Sequence, residues 1–238
     1  MGCLPEDLPL IRFLRSRHVP FDQHSVTRRV IIVVAVIAVA TAVSAVVVPR
    51  QGHGARIRAG AEAGEEHEAT RTIRGASCGV ERWPVKTLSD PRARDVDFAV
   101  RPATVRYLGS LRASPGGQDS RGQLESRVFG VQARLVGVKR EADSDYHLML
   151  SQGGATMIAE MPLSACTSGA QHRYAMSTAR AELERAVGGP VGESWIRPGL
   201  WVRVAGVLFF DDPHGQSGHA RNYVELHPVT GFRVLTGS

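Results

Sequence analysis

From Val30 to Val48 no side chain is charged, and only Thr41 and Ser44 are polar. No other feature constrains the chain as strongly. Nineteen residues at the helical rise come to roughly 28 Å, close to the hydrocarbon thickness of a bilayer. The run is rich in β-branched residues, which favour strands in water. In lipid, however, a lone segment satisfies its backbone only as a helix. The expectation is a single transmembrane helix over 30–48.

Flanking charge sets its direction. Arg12, Arg15, Arg17, Arg28 and Arg29 precede the run, while Arg50, Arg56 and Arg58 follow it. The excess on the N-terminal side keeps residues 1–29 in the cytoplasm and sends the rest across. The competing reading is a cleaved signal peptide, because Val43-Ser44-Ala45 offers the small residues a signal peptidase accepts. A hydrophobic stretch this long favours retention as a signal anchor in the cell membrane. Either way the C-terminal part is expected outside the cytoplasm.

That placement redistributes the charge. The chain of 238 residues has a formal net charge of +6. Residues 1–78 and 79–238 each hold +3, so the excess over the larger part is modest. Only Lys86 and Lys139 are lysines among 29 basic residues, a bias typical of GC-rich coding rather than of a binding patch. Nucleic acid is therefore not an expected partner.

Residues 49–77 are Ala, Gly, Glu and Arg with almost no large apolar side chain, the composition of a flexible stalk. The Glu65-Glu66-His67-Glu68 run is read as a solvated acidic stretch. The folded part begins near Cys78, with 78–122 as an N-terminal extension containing a short helix capped by Thr104. From 123 to 238 the pattern turns to strands. Val128–Arg140 is long, with Gly130 and Gly137 as bend positions. Tyr146–Leu150 and Thr156–Met161 follow around a Gly153-Gly154 turn.

Next comes a helix, expected to start at a Ser168/Gln171 capping box and to stop at Gly188-Gly189-Pro190. Its apolar positions are Met176, Ala179, Leu183 and Val187. Two strands remain, Leu200–Phe210 and Tyr223–Val229. In the second, Val224 and Leu226 point inward and Glu225 and His227 outward. The fold class is mainly β (α+β), and the order is that of an OB-fold-like five-stranded barrel with a helix between strands three and four.

Cys78 and Cys166 both fall in the exported part, where thiols are oxidised, and one pair allows one connectivity. A disulfide between them is expected. Neither has the Cys-x-x-Cys or basic setting of a reactive thiol.

The candidate ligand-binding residues lie on two loops and the last strand. Asp143 and Asp145, with Glu141, cluster after the first barrel strand. His214, Gln216, Asn222, Glu225 and His227 lie in or after the loop joining the last two strands. Glu160 is a further partner if the fold brings it near. No catalytic set is complete, and no cofactor is expected on the main reading. The alternative is a divalent metal such as zinc on His214, Glu225 and His227, with Asp211 or Asp212, serving a phosphodiesterase-like hydrolase. The loop lacks a metal-ligand spacing signature, and turn-building by its Asp, Gly, Pro and Ser residues is the simpler reading.

The segments Glu81-Arg82-Trp83-Pro84-Val85-Lys86-Thr87-Leu88-Ser89-Asp90, Asp143-Ser144-Asp145-Tyr146-His147-Leu148, Thr156-Met157-Ile158-Ala159-Glu160 and Phe209 through Val229 together resemble an uncharacterised family of exported bacterial proteins. The resemblance covers nearly all of 78–235. It implies an export signal and paired cysteines, and brings no activity. The long basic N-terminus and the stalk depart from the family pattern and favour anchoring over secretion. The expectation is thus a non-enzymatic binding module of the cell envelope, held by one helix, with a small-molecule, glycan or protein ligand.

Overall fold

The computed structural model describes residues 69–236. The segments expected as cytoplasmic N-terminus and membrane helix, and most of the stalk, lie outside the described residues. No helix among the described residues is long and apolar enough to cross a membrane.

The end of the expected stalk is a hairpin. Strand β1 (Thr70–Ile73) pairs antiparallel with β2 (Ala76–Gly79) across a tight turn in which Arg74 and Gly75 both have positive φ. Composition did not forecast it because its anchor is covalent. Cys78 is bonded to Cys166, Cα to Cα 5.7 Å, and Ile73 and Ala76 pack on the cluster of Cys78, Trp83 and Cys166. The expected disulfide is therefore present. It closes a loop of 88 residues, for which chain entropy allows about 4–5 kcal/mol of stabilisation.

A short helix α1 (Trp83–Lys86) leads to β3 (Asp97–Ala103), then α2 (Val105–Leu108), whose N-cap Thr104 accepts from Tyr107 N–H as the sequence suggested. The barrel follows: β4 (Arg127–Arg140), β5 (Tyr146–Gln152), β6 (Ala155–Met161), helix α3 (Arg173–Val187), β7 (Leu200–Phe210) and β8 (Val224–Val234). The sheet order is β3-β4-β5-β6-β8-β7, and β4 also pairs with β7, closing five strands into a barrel with β3 outside. The fold is mainly β with few helices.

Strand β4 serves both sides of the closure because it bends. Its first half pairs with β7 and its second with β5, and the register shifts between Leu135 and Gly137. A Cβ at Gly137 would meet the Trp195 ring at 3.0 Å. The bend at Gly137 is therefore one that a glycine permits.

Period-two alternation fills the barrel. Val131, Ala133 and Leu135 of β4, Leu148 and Leu150 of β5, Val202 and Val204 of β7, and Val224 and Leu226 of β8 share one core with Ala179 and Leu183 of α3. Each fully buried large apolar side chain contributes roughly 1.5–3 kcal/mol.

Helix α3 starts later than the capping box implied. Ser164–Thr167 forms a single 3-10 turn, pinned by Cys166, and the N-cap is His172, with φ 53 and no side-chain cap bond. The helix ends as expected, at Gly188 with φ 88. Strand β8 runs past the expected Val229, because β7 offers it partners as far as Val202↔Val234.

A second layer covers the outside of β7 and β8. Leu88, Ala93 and Val96 pack on Val128, Val207 and Met176. Two buried ion pairs hold this layer. Arg82 donates to both carboxylate oxygens of Glu125, at 2.8 and 2.7 Å, and to Phe210 C=O. Arg121 pairs with Asp90 at 2.6 Å. The remaining lone pairs of Glu125 accept from the N–H groups of Phe210, Gly116 and Gly122.

Candidate functional site

Strands β5, β6 and β8 each carry polar side chains on the face away from the barrel interior. Register aligns them. His147 lies opposite Glu160, and Ile158↔Glu225 with Ala159↔Leu226 brings Glu160 beside His227. The outward direction expected for Glu225 and His227 holds, but that side is not solvent. Side chains of other elements cover it, the Trp195 ring edge-on to His147 and the Phe209 ring edge-on to His227, leaving His147, His227 and Asp145 at 0% exposure, Glu225 at 1% and Glu160 at 4%.

Asp145, a candidate ligand-binding residue from the sequence, arrives from the turn between β4 and β5. Ser144 takes φ 75, Asp143 accepts from Asp145 N–H at 3.0 Å, and the turn folds the Asp145 carboxylate inward. It meets His227 Nε2 at 3.3 Å. The other ring nitrogen, Nδ1, meets Glu160 at 3.1 Å and Glu225 at 3.9 Å. Glu160 also reaches His147 Nδ1 at 3.4 Å, where Glu141 stands at 3.2 Å. His147 Nε2–H donates to Ser217 C=O at 3.0 Å. The result is a chain, Glu141, His147, Glu160, His227, Asp145, in which carboxylates and imidazoles alternate.

Burial alone would drive both imidazoles neutral. For His147 the adjacent Glu141 and Glu160 outweigh it and hold the ring at about 9; for His227, Asp145 and Glu160 do the same, against Lys86. Burial pushes Glu160 upward, but the two imidazoles beside it win and hold its carboxyl well below the usual range. At Asp145 burial prevails over His227, and the carboxyl stays above its ordinary value. The carboxylates on either side of His147 and His227 favour the protonated rings, and Glu160 lies between the two.

Donor atoms of Asp145, Glu160 and His227 lie within 4.8 Å of one another, so a divalent metal has a candidate ligand set. Geometry works against it. His227 offers Nε2 to Asp145 and Nδ1 to Glu160, so no single nitrogen faces both carboxylates. Zinc needs one neutral nitrogen and two oxygens converging at about 2.0–2.2 Å. The ring is clamped between carboxylates rather than aimed with them at a common point.

The sequence-derived residues divide accordingly. Asp145, Glu225 and His227 come together, joined by Glu160 and by His147, which the sequence reading did not single out. Its signal was one imidazole in the apolar run Tyr146-His147-Leu148-Met149-Leu150. His214 stands elsewhere, its Nε2 3.7 Å from Asp211, and Asp211 pairs with the buried Lys86 at 3.6 Å. Among the described residues, the close metal-type group therefore contains Glu160 and Asp145 in place of His214 and Glu225. Asp212 is exposed, and Gln216 is half-buried in the same loop. Asn222 Nδ2 donates to the carbonyls of Leu108 and Leu111, tying the loop to α2.

That loop borders an open cleft of about 630 Å³ between α2 and the β5–β6 hairpin. Arg106, Ser110, Thr156, His219, Arg221 and Asn222 supply its polar lining, and no carboxylate does. His219 stacks on Tyr223 at 4.6 Å and donates from Nδ1 to Ala220 C=O. The cleft presents donors to an occupant, whereas the central members of the ion cluster, His147, Glu160, His227 and Asp145, are buried.

No protein-family model and no curated protein sequence matches the chain. Among solved structures, a similar chain is that of a "putative aspartyl-tRNA synthetase" from Leishmania major Friedlin, with a TM-score of 0.35 and 13% identity. The match covers 59% of this chain and 21% of that one. A likeness at that level says nothing about what this chain does.

Proposed function

We propose that this chain is a membrane-anchored binding module displayed outside the cytoplasm, built on an OB-like barrel, that takes a small-molecule, glycan or protein ligand without transforming it. The observation that carries the reading is a contrast of access. Asp145, His147, Glu160 and His227 are buried, while the loop after β7 borders an open cleft with donors and no acid–base pair. Catalysis needs its acid and base within reach of a substrate. The order of three strands, helix and two strands supports the OB-like assignment. The Cys78–Cys166 bond supports an oxidising compartment, and the uncharged run over 30–48 supports the anchor.

A thermal-shift titration of the full chain with glucuronate, and with glucose as the neutral control, tests the cleft. The expected result is a rise in melting temperature with glucuronate that Arg106→Ala/Arg221→Ala abolishes. Hydrolysis of bis-p-nitrophenyl phosphate that is lost on His227→Gln would overturn the non-enzymatic reading.

The second reading, a metal-dependent hydrolase, draws on the proximity of Asp145, Glu160 and His227. Metal analysis decides it: stoichiometric zinc in the purified chain, lost on His227→Ala, would favour the hydrolase over the binding module.

A further inference from the structure

The outer face of β4, β7 and β8 places two arginines directly against each other. Arg203 of β7 lies directly opposite Arg233 of β8. On its other side Arg203 lies opposite Gln132, and two residues along Arg134 lies opposite Trp201. Residues paired across strands share a face, so Gln132, Arg134, Trp201, Arg203 and Arg233 all project outward together. All five are exposed, Trp201 at 51%.

Like charges directly opposite destabilise a strand pair. Exposed arginines on this barrel do find carboxylates elsewhere, as Arg140 does in Glu193. Among the described residues none comes within ion-pair distance of Arg134, Arg203 or Arg233. Glu182 lines a neighbouring cleft with Arg233 without an ion pair to it. The face also continues into a groove of about 530 Å³, lined by Val100, Pro102, Gln132, Gln152 and Arg203. Three uncompensated guanidinium groups, a flat exposed indole and an adjoining groove therefore stand together on a rigid sheet.

We propose that this face binds an acidic glycan, its anionic groups bridging Arg203, Arg233 and Arg134 while a sugar ring rests on Trp201. The proposal rests on the binding-module reading and gives it a second surface and a ligand class. Charge complementarity requires a polyanion, since guanidinium groups pair with carboxylate or sulfate oxygens in a two-pronged manner. A single-stranded nucleic acid is the weaker match. Successive bases need successive aromatic platforms, and this face has one.

The test uses the full-length chain with alginate as a carboxylated polymer, heparin as a sulfated one, dextran as the neutral control and oligothymidylate as the nucleic acid. Binding to alginate or heparin, absent for dextran and weakening steeply between about 50 and about 200 mM salt, is expected. Arg203→Gln/Arg233→Gln should weaken it about tenfold, while raising the melting temperature because the facing charges are gone. Trp201→Ala should weaken it about threefold. Preference between the two acidic polymers identifies the anionic group.

Binding no stronger than to dextran, unchanged binding by the double arginine variant, or tighter binding of oligothymidylate would each overturn the proposal. If Arg106→Ala/Arg221→Ala alone abolishes polymer binding, the sheet face is refuted and the binding module stands. The glucuronate titration of the cleft reports on the module separately.

Discussion

Removing one carboxylate, Glu160→Gln, should convert the buried chain of imidazoles from a source of stability into a liability. In the native chain His147 and His227 are held at about 9, against an ordinary value of 6.5. Each shift is worth about 3 kcal/mol, since one pKa unit corresponds to about 1.4 kcal/mol. The folded-state values lie above the unfolded ones. The contribution is therefore complete below about pH 6.5 and disappears as pH rises through about 9. Urea unfolding of the oxidised full chain at a series of pH values from 6 to 10 should show stability falling across that window. In Glu160→Gln, His147 keeps Glu141 and His227 keeps Asp145 and the more distant Glu225, and burial then weighs more heavily. The variant should lose about 3–5 kcal/mol below pH 6.5, as expected when a buried pair loses one partner. It should also show a much flatter decline above neutrality. Imidazole NMR signals place the titrations directly. Two buried histidines titrating near 6.5 in the native chain, or an alkaline decline identical in native chain and variant, would refute the bridged-imidazolium picture.

Four further outcomes follow from the same structure. Denatured without reductant, the chain should yield one reactive thiol from its three cysteines, Cys3, and three only after reduction; three without reductant would contradict the Cys78–Cys166 bond. Arg82→Ala strips the two-pronged partner from Glu125 and should cost about 3–5 kcal/mol in urea unfolding at neutral pH. Burial pushes the Glu125 carboxyl up, but Arg82 and three backbone N–H groups outweigh it and hold the value below normal. Its stabilisation is present above the ordinary carboxylate range and is lost as pH falls through the lowered value, so the native chain should weaken in acid and Glu125→Gln should weaken less steeply. Gly218→Ala places a Cβ 2.3 Å from Met149 Cγ at a residue with φ +87. It should cost about 1–3 kcal/mol and displace the 211–223 loop, measurable as a lower melting temperature.

How much of this was legible in the sequence depends on the physical origin of each feature. The barrel strands were, because alternation over Val131, Ala133 and Leu135 and over Val202 and Val204 is the direct imprint of a two-sided sheet. Strand β3 was not. Its sequence, Asp-Phe-Ala-Val-Arg-Pro-Ala, lies on the sheet edge, mostly exposed, and takes its conformation from parallel pairing to β4 rather than from any pattern of its own. The start of α3 was misplaced for a related reason. Ser168 and Gln171 have the right spacing for a cap, but the Cys166 crosslink holds the preceding turn in a different conformation.

The candidate site marks a deeper boundary of the same kind. Alternation correctly put Glu225 and His227 on the side of β8 away from the core, yet a period of two says which way a side chain points and nothing about what lies there. What lies there includes Arg82 and Lys86, some 140 residues earlier, over the Phe209 ring that stands edge-on to His227. Each half of the arrangement looks ordinary alone: a charged strand face, and a short basic-aromatic stretch near a cysteine. The charges make sense only when superposed. Lys86 faces Asp211, Arg82 takes Glu125, and the imidazoles of His147 and His227 supply the remaining positive charge around Glu160. A sealed layer of this composition tolerates a lone polar residue inside an apolar strand only if a partner of opposite sign meets it from another element. His147 within Tyr146–Leu150 and Glu160 within Thr156–Met161 satisfy that condition for each other across one register step. The informative sequence signal was therefore the matched pair of polar interruptions, one on each strand of a hairpin, rather than the polar loop with His214 and His219.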